Sequence, residues 1–134
     1  MIGILVVTHG SIGEALLTSA SQILGDMPKQ VATLSVWRQD DPDDLVLRAR
    51  ELLDGLDAGD GVLVLTDIFG ATPGNVVSRL LDDGHIEGVS GVSLPMLLRV
   101  LTGRNGSLAG AVKRAMSGGA EGVVHMNADR CLDA

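Results

Sequence analysis

The chain opens on an apolar run, Ile2 to Val7, that breaks abruptly into Thr8-His9-Gly10-Ser11. A run without polar alternation, closed by a glycine-containing turn, predicts a strand buried on both faces of a parallel sheet. Ser11 and Glu14 follow in S-x-x-E spacing, the capping-box signature of a helix N-terminus. His9 is therefore expected at the carboxyl end of a central strand. There it stands one residue before backbone N–H groups free to bind an anion.

The rest of the chain repeats the alternation of strand and helix. Apolar positions at Leu16, Leu17, Ala20, Ile23 and Leu24 make a helical stripe that Gly25 and Pro28 close. Residues 31–37 alternate apolar Ala32, Leu34 and Val36 with Thr33 and Ser35, which predicts a half-exposed strand nearer the sheet edge. Asp41-Pro42 supplies an N-cap and a first-turn proline for a helix carrying Leu45, Ala49, Leu52, Leu53 and Leu56. Val62 to Leu65 is a second continuous apolar strand, ended by Asp67. A short loop then reaches Thr72-Pro73, read as N-cap and N1 of a helix buried through Val76, Val77, Leu80 and Leu81. A weaker strand is expected over 86–92, a helix entered through Pro95, another over 107–116 and a last strand over 122–126.

This pattern predicts an α/β fold with a doubly wound, mainly parallel sheet. The two fully apolar strands, first and third, belong at the centre, and right-handed crossovers favour the order 2-1-3-4. The switch point then lies between strands 1 and 3, whose carboxyl ends carry His9 and Asp67. No repeat, low-complexity segment or linker divides residues 1–134, so one domain is expected.

Composition narrows the chemistry. A formal net charge of −7 argues against a nucleic-acid partner, and Trp37 and Phe69 are the only aromatics. Cys131 is the single cysteine, which excludes an intramolecular disulfide and fits a reducing, cytoplasmic setting. No apolar run approaches the roughly 18 residues of a membrane span.

Taken singly, His9 reads as a turn histidine, Asp67 as a loop carboxylate bonding local N–H groups, and Thr72 as a helix cap. Together at a switch point, they acquire a chemical reading. A carboxylate bonded to one imidazole nitrogen fixes the tautomer and directs the other nitrogen's lone pair outward, as a nucleophile. Helix N-termini and the Thr72 hydroxyl would hold the anion that the ring attacks or carries. His85 and His125 lack such support and read as structural or solvated. There is no G-x-x-x-x-G-K-[ST], G-x-G-x-x-G or G-x-S-x-G motif. A receiver-type aspartyl phosphate would want acidic residues after the first strand, where Thr8-His9 stands. No third ligand joins His9 and Asp67 for a metal.

The segments VVTHGSIGEALLTSA, VLVLTDIFGATPGN and GVSLPMLLRVL resemble, in order and spacing, the mannose-type IIA components of the bacterial sugar phosphotransferase system. The resemblance implies a phosphocarrier with no cofactor. His9 matches the histidine that accepts a phosphoryl group from phosphohistidine on the carrier HPr and passes it to a IIB component. Asp67 matches the aspartate bonded to that histidine, and Thr72 the loop hydroxyl. Gly10, Ser11, Gly70, Ala71 and Thr72 are the expected phosphate-binding positions. The resemblance further implies a homodimer that exchanges a C-terminal antiparallel edge strand, here about 121–126. Ser93 stands where the third motif usually carries Asn, and Ala71 where a second glycine is common. No IIB sequence follows within the chain, so sugar uptake would need separate IIB and membrane subunits. The alternative is a regulatory phosphoprotein whose phosphorylation state is read without sugar transport.

Overall fold

The computed structural model describes residues 1–129. Four parallel strands form one sheet in the order β2-β1-β3-β4: β1 Gly3–His9, β2 Val31–Val36, β3 Val62–Thr66 and β4 Ile86–Ser90. The connections carry α1 Ile12–Leu24, α2 Pro42–Leu56 and α3 Thr72–Ser78; α4 Leu94–Leu101, α5 Leu108–Glu121 and the short α6 Met126–Asp129 complete the chain.

The sheet order follows from burial. β1 is enclosed from Gly3 to Thr8 and β3 along its whole length. Of β2, only Leu34 and Val36 are fully buried, as an edge strand requires. Side chains alternate across the sheet. Leu5, Val7, Val62 and Val64 pack with Leu45, Leu53 and Val76 of α2 and α3. Ile4, Val6, Leu63 and Leu65 pack on the other face with Ala20, Leu97, Val100 and Ala115 of α1, α4 and α5. Each such side chain contributes roughly 1.5–3 kcal/mol of burial, so both layers are needed to hold β1 and β3 central.

Arg104 locks the end of the sheet opposite His9. The residue is 7% exposed, and its guanidinium donates from Nε and Nη2 to Ile2 O at 3.1 and 2.8 Å. Nη2 also reaches Gln30 O at 2.8 Å, and Nη1 donates to Lys29 O. One side chain thereby joins the starts of β1 and β2.

Several local expectations are corrected. Ser11 precedes α1 but makes no side-chain cap bond; Thr8 Oγ1 accepts the Gly13 N–H at 2.8 Å instead. Glu14 turns away, and its Oε1 accepts from Ser35 Oγ at 3.5 Å. The capping box is outcompeted because the buried Thr8 hydroxyl already faces the first turn. Thr72 is the first residue of α3, and Ala71 holds the N-cap position, again without a side-chain bond. β4 ends at Ser90, because the chain turns at Gly91 (φ 83°) and Ser93 caps α4 by accepting from the Met96 N–H at 3.3 Å. The helix expected over 107–116 runs on to Glu121, buried through Ala115 and Gly118. The expected strand at 122–126 is not one in the single chain: residues 123–125 are irregular and Met126 opens α6. Cys131 lies outside the described residues.

Candidate functional site

β1 and β3 are adjacent and in register, Val7 opposite Thr66. Their next residues, Thr8-His9 and Asp67, therefore emerge side by side. Asp67 Oδ2 lies 2.8 Å from His9 Nδ1 and also accepts the His9 backbone N–H at 3.1 Å. Its Oδ1 accepts the Ile68 N–H at 3.1 Å. The Asp67 side chain is 13% exposed and that of His9 49%. Burial pushes the Asp67 carboxyl up, but the His9 ring bond, the His9 N–H bond and the His9 charge outweigh it. The carboxyl accordingly lies below its ordinary value of 3.8. An ionised carboxylate only accepts, so in the neutral imidazole Nδ1 carries the proton and Nε2 keeps its lone pair.

His9 lines an open cleft of about 530 Å³ with Val36, Trp37, Arg38, Asp40, Pro42 and Thr72. Its second wall is the turn after β2, which motif reading passed over. The signal was present: β2 neighbours β1, with Val36 opposite His9, so whatever follows Val36 stands beside whatever follows His9. Gly10 adopts φ 48°, and its N–H donates to Val36 O at 2.9 Å. A side-chain carbon at Gly10 would stand 3.2 Å from Trp37 Cζ3, so the indole closes directly over this glycine.

That bond revises the anion-binding expectation at Gly10, whose N–H is engaged. The N–H groups of Ser11, Gly70 and Ala71 have no acceptor among the described residues. Gly70, at φ 88°, turns the β3–α3 loop. Thr72 is exposed on the cleft. Ser93 is engaged as the α4 cap, and the Val92 N–H ties its loop to Thr66 O at 3.0 Å. His85 lies in the turn before β4, at the opposite end of the sheet from His9, and His125 before α6; neither lines the His9 cleft. Among the described residues no three His, Cys, Asp or Glu side chains cluster as metal ligands, and no helix is long and apolar enough to cross a membrane. A second depression, of about 350 Å³, runs along β4 beside Phe69, Leu81 and Met116. It is lined by no ionisable side chain, in contrast to the His9 cleft.

Comparison with known proteins identifies the family of the chain. The chain is 34% identical over 130 residues to the "PTS system mannose-specific EIIAB component" of Escherichia coli (strain K12), covering 95% of this chain and 40% of that protein. It therefore spans well under half of that relative. It is 30% identical over 103 residues to the "PTS system fructose-specific EIIA component" of Bacillus subtilis (strain 168), covering 76% of this chain and 70% of the relative. The crystal structure of phosphotransferase system component EIIA from Streptococcus agalactiae superposes with a TM-score of 0.85 at 27% identity, covering 96% and 99% of the two chains. Residues 3–117 match the EIIA-man family, described as the PTS system fructose IIA component. The chain thus belongs to the mannose-type IIA family of the sugar phosphotransferase system.

Proposed function

We propose that residues 1–134 act as one IIA domain, a phosphotransferase component that carries a phosphoryl group on His9 Nε2. The single observation that carries this reading is the 2.8 Å bond between His9 Nδ1 and Asp67 Oδ2 beside an open cleft. Phosphorylated HPr is the donor. The Nε2 lone pair attacks phosphorus as the donor's P–N bond breaks, and the departing imidazole nitrogen keeps the bonding pair. The His9 ring becomes an N-phosphorylated imidazolium, whose positive charge the Asp67 carboxylate stabilises while Nδ1 keeps its proton. The Ser11, Gly70 and Ala71 N–H groups and the Thr72 hydroxyl surround the phosphoryl oxygens, with Gly10 shaping the turn. A IIB component then takes the group by the same in-line exchange, towards sugar uptake and phosphorylation.

The test is incubation with phosphorylated HPr and labelled phosphate. Acid-labile, base-stable label should appear on the chain and be absent from His9→Ala. Label retained by His9→Ala would remove the assignment. Discharge by a IIB protein from the same cell favours transport. A phosphoprotein that no IIB discharges favours the regulatory reading.

The same reading includes a homodimer. Among the described residues the outer edge of β4 has no strand partner beyond the isolated bridge of Ile86 to Asp82. Beside it lie exposed Phe69, Leu81 and Met116, while Val123, Val124 and Met126 are exposed at 85%, 50% and 78%. An apolar segment and a bare strand edge on one chain are the two halves of an exchange between copies. A single sedimenting species near the 13.9 kDa chain mass at micromolar concentration would exclude it.

A further inference from the structure

The cleft around His9 contains one cationic side chain, and the proposed phosphocarrier chemistry has not used it. Arg38 is the cleft's cation; the other ionised side chain on its wall is Asp40, with Asp67 beneath the ring. Among the described residues the Arg38 guanidinium makes no ion pair and no hydrogen bond. The other arginine side chains with partners are spent structurally, as with Arg79 on Asp43 and Arg104 on three carbonyls. Arg38 is unpaired in a chain whose formal net charge is −7.

Its backbone position is nonetheless fixed. Val36 pairs with His9 across the sheet and accepts the Gly10 N–H. The Trp37 N–H donates to Asp40 Oδ2 at 2.8 Å, and the Asp40 N–H returns to Trp37 O at 3.0 Å. The turn 37–40 is thus closed by two reciprocal bonds, with Asp40 Oδ2 occupied by the turn and the Trp37 ring seated over Gly10. Arg38 is held at the cleft wall two residues beyond the position opposite His9, with a free planar guanidinium on a long stem.

We propose that Arg38 binds the phosphoryl group on His9, neutralising it and holding two of its oxygens. This rests on the phosphohistidine reading and deepens it. A phosphoryl group brings about −1.5 to −2 charge into a cleft that already holds Asp40 and Asp67. A guanidinium fork matches two phosphoryl oxygens, which a point-charge ammonium does less well. The free side chain loses no existing partner when the group arrives. Arg38 thereby favours the phosphorylated state of this chain over that of its donor.

Equilibrium partition tests this without interference from docking rates, because the ratio of phosphorylated carrier to phosphorylated chain is a state property. Wild type, Arg38→Ala and Arg38→Lys are each equilibrated with phosphorylated HPr at low ionic strength, and label is counted on both proteins. Arg38→Ala should shift the ratio about tenfold towards HPr. Arg38→Lys, which keeps the charge but not the fork, should lie between wild type and Arg38→Ala, and 1 M salt should shrink the Ala effect. A shift in Arg38→Ala below fivefold, or one that 1 M salt does not shrink, overturns the proposal while leaving the phosphohistidine reading intact. Absence of label on wild type overturns both, so the two failures are distinct.

Discussion

One oxygen of Asp67 receives both the ring Nδ1–H and the backbone N–H of His9, at 2.8 and 3.1 Å. The double contact fixes the histidine at two points, backbone and ring, so the imidazole's rotation and tautomer are set together. A residue 49% exposed is thereby held in one orientation without being buried.

Asp67→Asn keeps the shape but removes the charge that stabilises an N-phosphorylated imidazolium. Transfer from phosphorylated HPr should slow by roughly tenfold or more, about 1.4 kcal/mol at the barrier, with the circular dichroism spectrum unchanged. Equal rates in both directions would remove Asp67 from the mechanism.

The same carboxylate makes folding stability depend on acid. Its folded value lies below 3.8, so the unfolded chain binds the proton first as pH falls. The contribution is full above 3.8 and is lost as pH drops through the lowered folded value. Chemical denaturation of wild type and Asp67→Asn should therefore converge in strong acid and diverge near neutrality.

Thr8 and Thr72 should exchange the roles that their positions in sequence imply. Thr8→Val strands the buried Gly13 N–H and should cost about 1–3 kcal/mol in denaturant melts. Thr72→Ala removes no cap bond and should change stability by less than about 0.5 kcal/mol, while slowing phosphoryl transfer.

Gly10→Ala places a methyl group against the Trp37 ring at a φ of 48°. The left-handed conformation alone costs about 1 kcal/mol. Trp37 is the only tryptophan, so its fluorescence should report the displaced ring directly, with a matching loss of stability.

Arg104→Met leaves the carbonyls of Ile2, Lys29 and Gln30 without their shared donor. The expected cost is at least about 2 kcal/mol, read as a lower denaturation midpoint. The His9 site lies at the other end of β1, so phosphate acceptance by the folded variant should be unaffected.

The unalternating runs Ile2–Val7 and Val62–Leu65 could only be satisfied by burial on both faces, and the alternation of 31–37 only by an edge. Strand order, and with it the meeting of His9 and Asp67, is therefore legible in the sequence, because burial period and crossover handedness are properties of short segments. Which group bonds which N–H is not. Thr8 displaced the Ser11–Glu14 box, Val36 took the Gly10 N–H, and Ala71 rather than Thr72 became the cap. Each outcome is a competition between neighbouring donors and acceptors, decided by how helix and strand pack. Residues 122–126 differ in kind. Apolar composition marks them for pairing, but strand geometry requires a neighbouring edge, and among the described residues they pair with none. Arg38 entered the site for the converse reason: only the register of β2 against β1 sets the turn after Val36 beside His9.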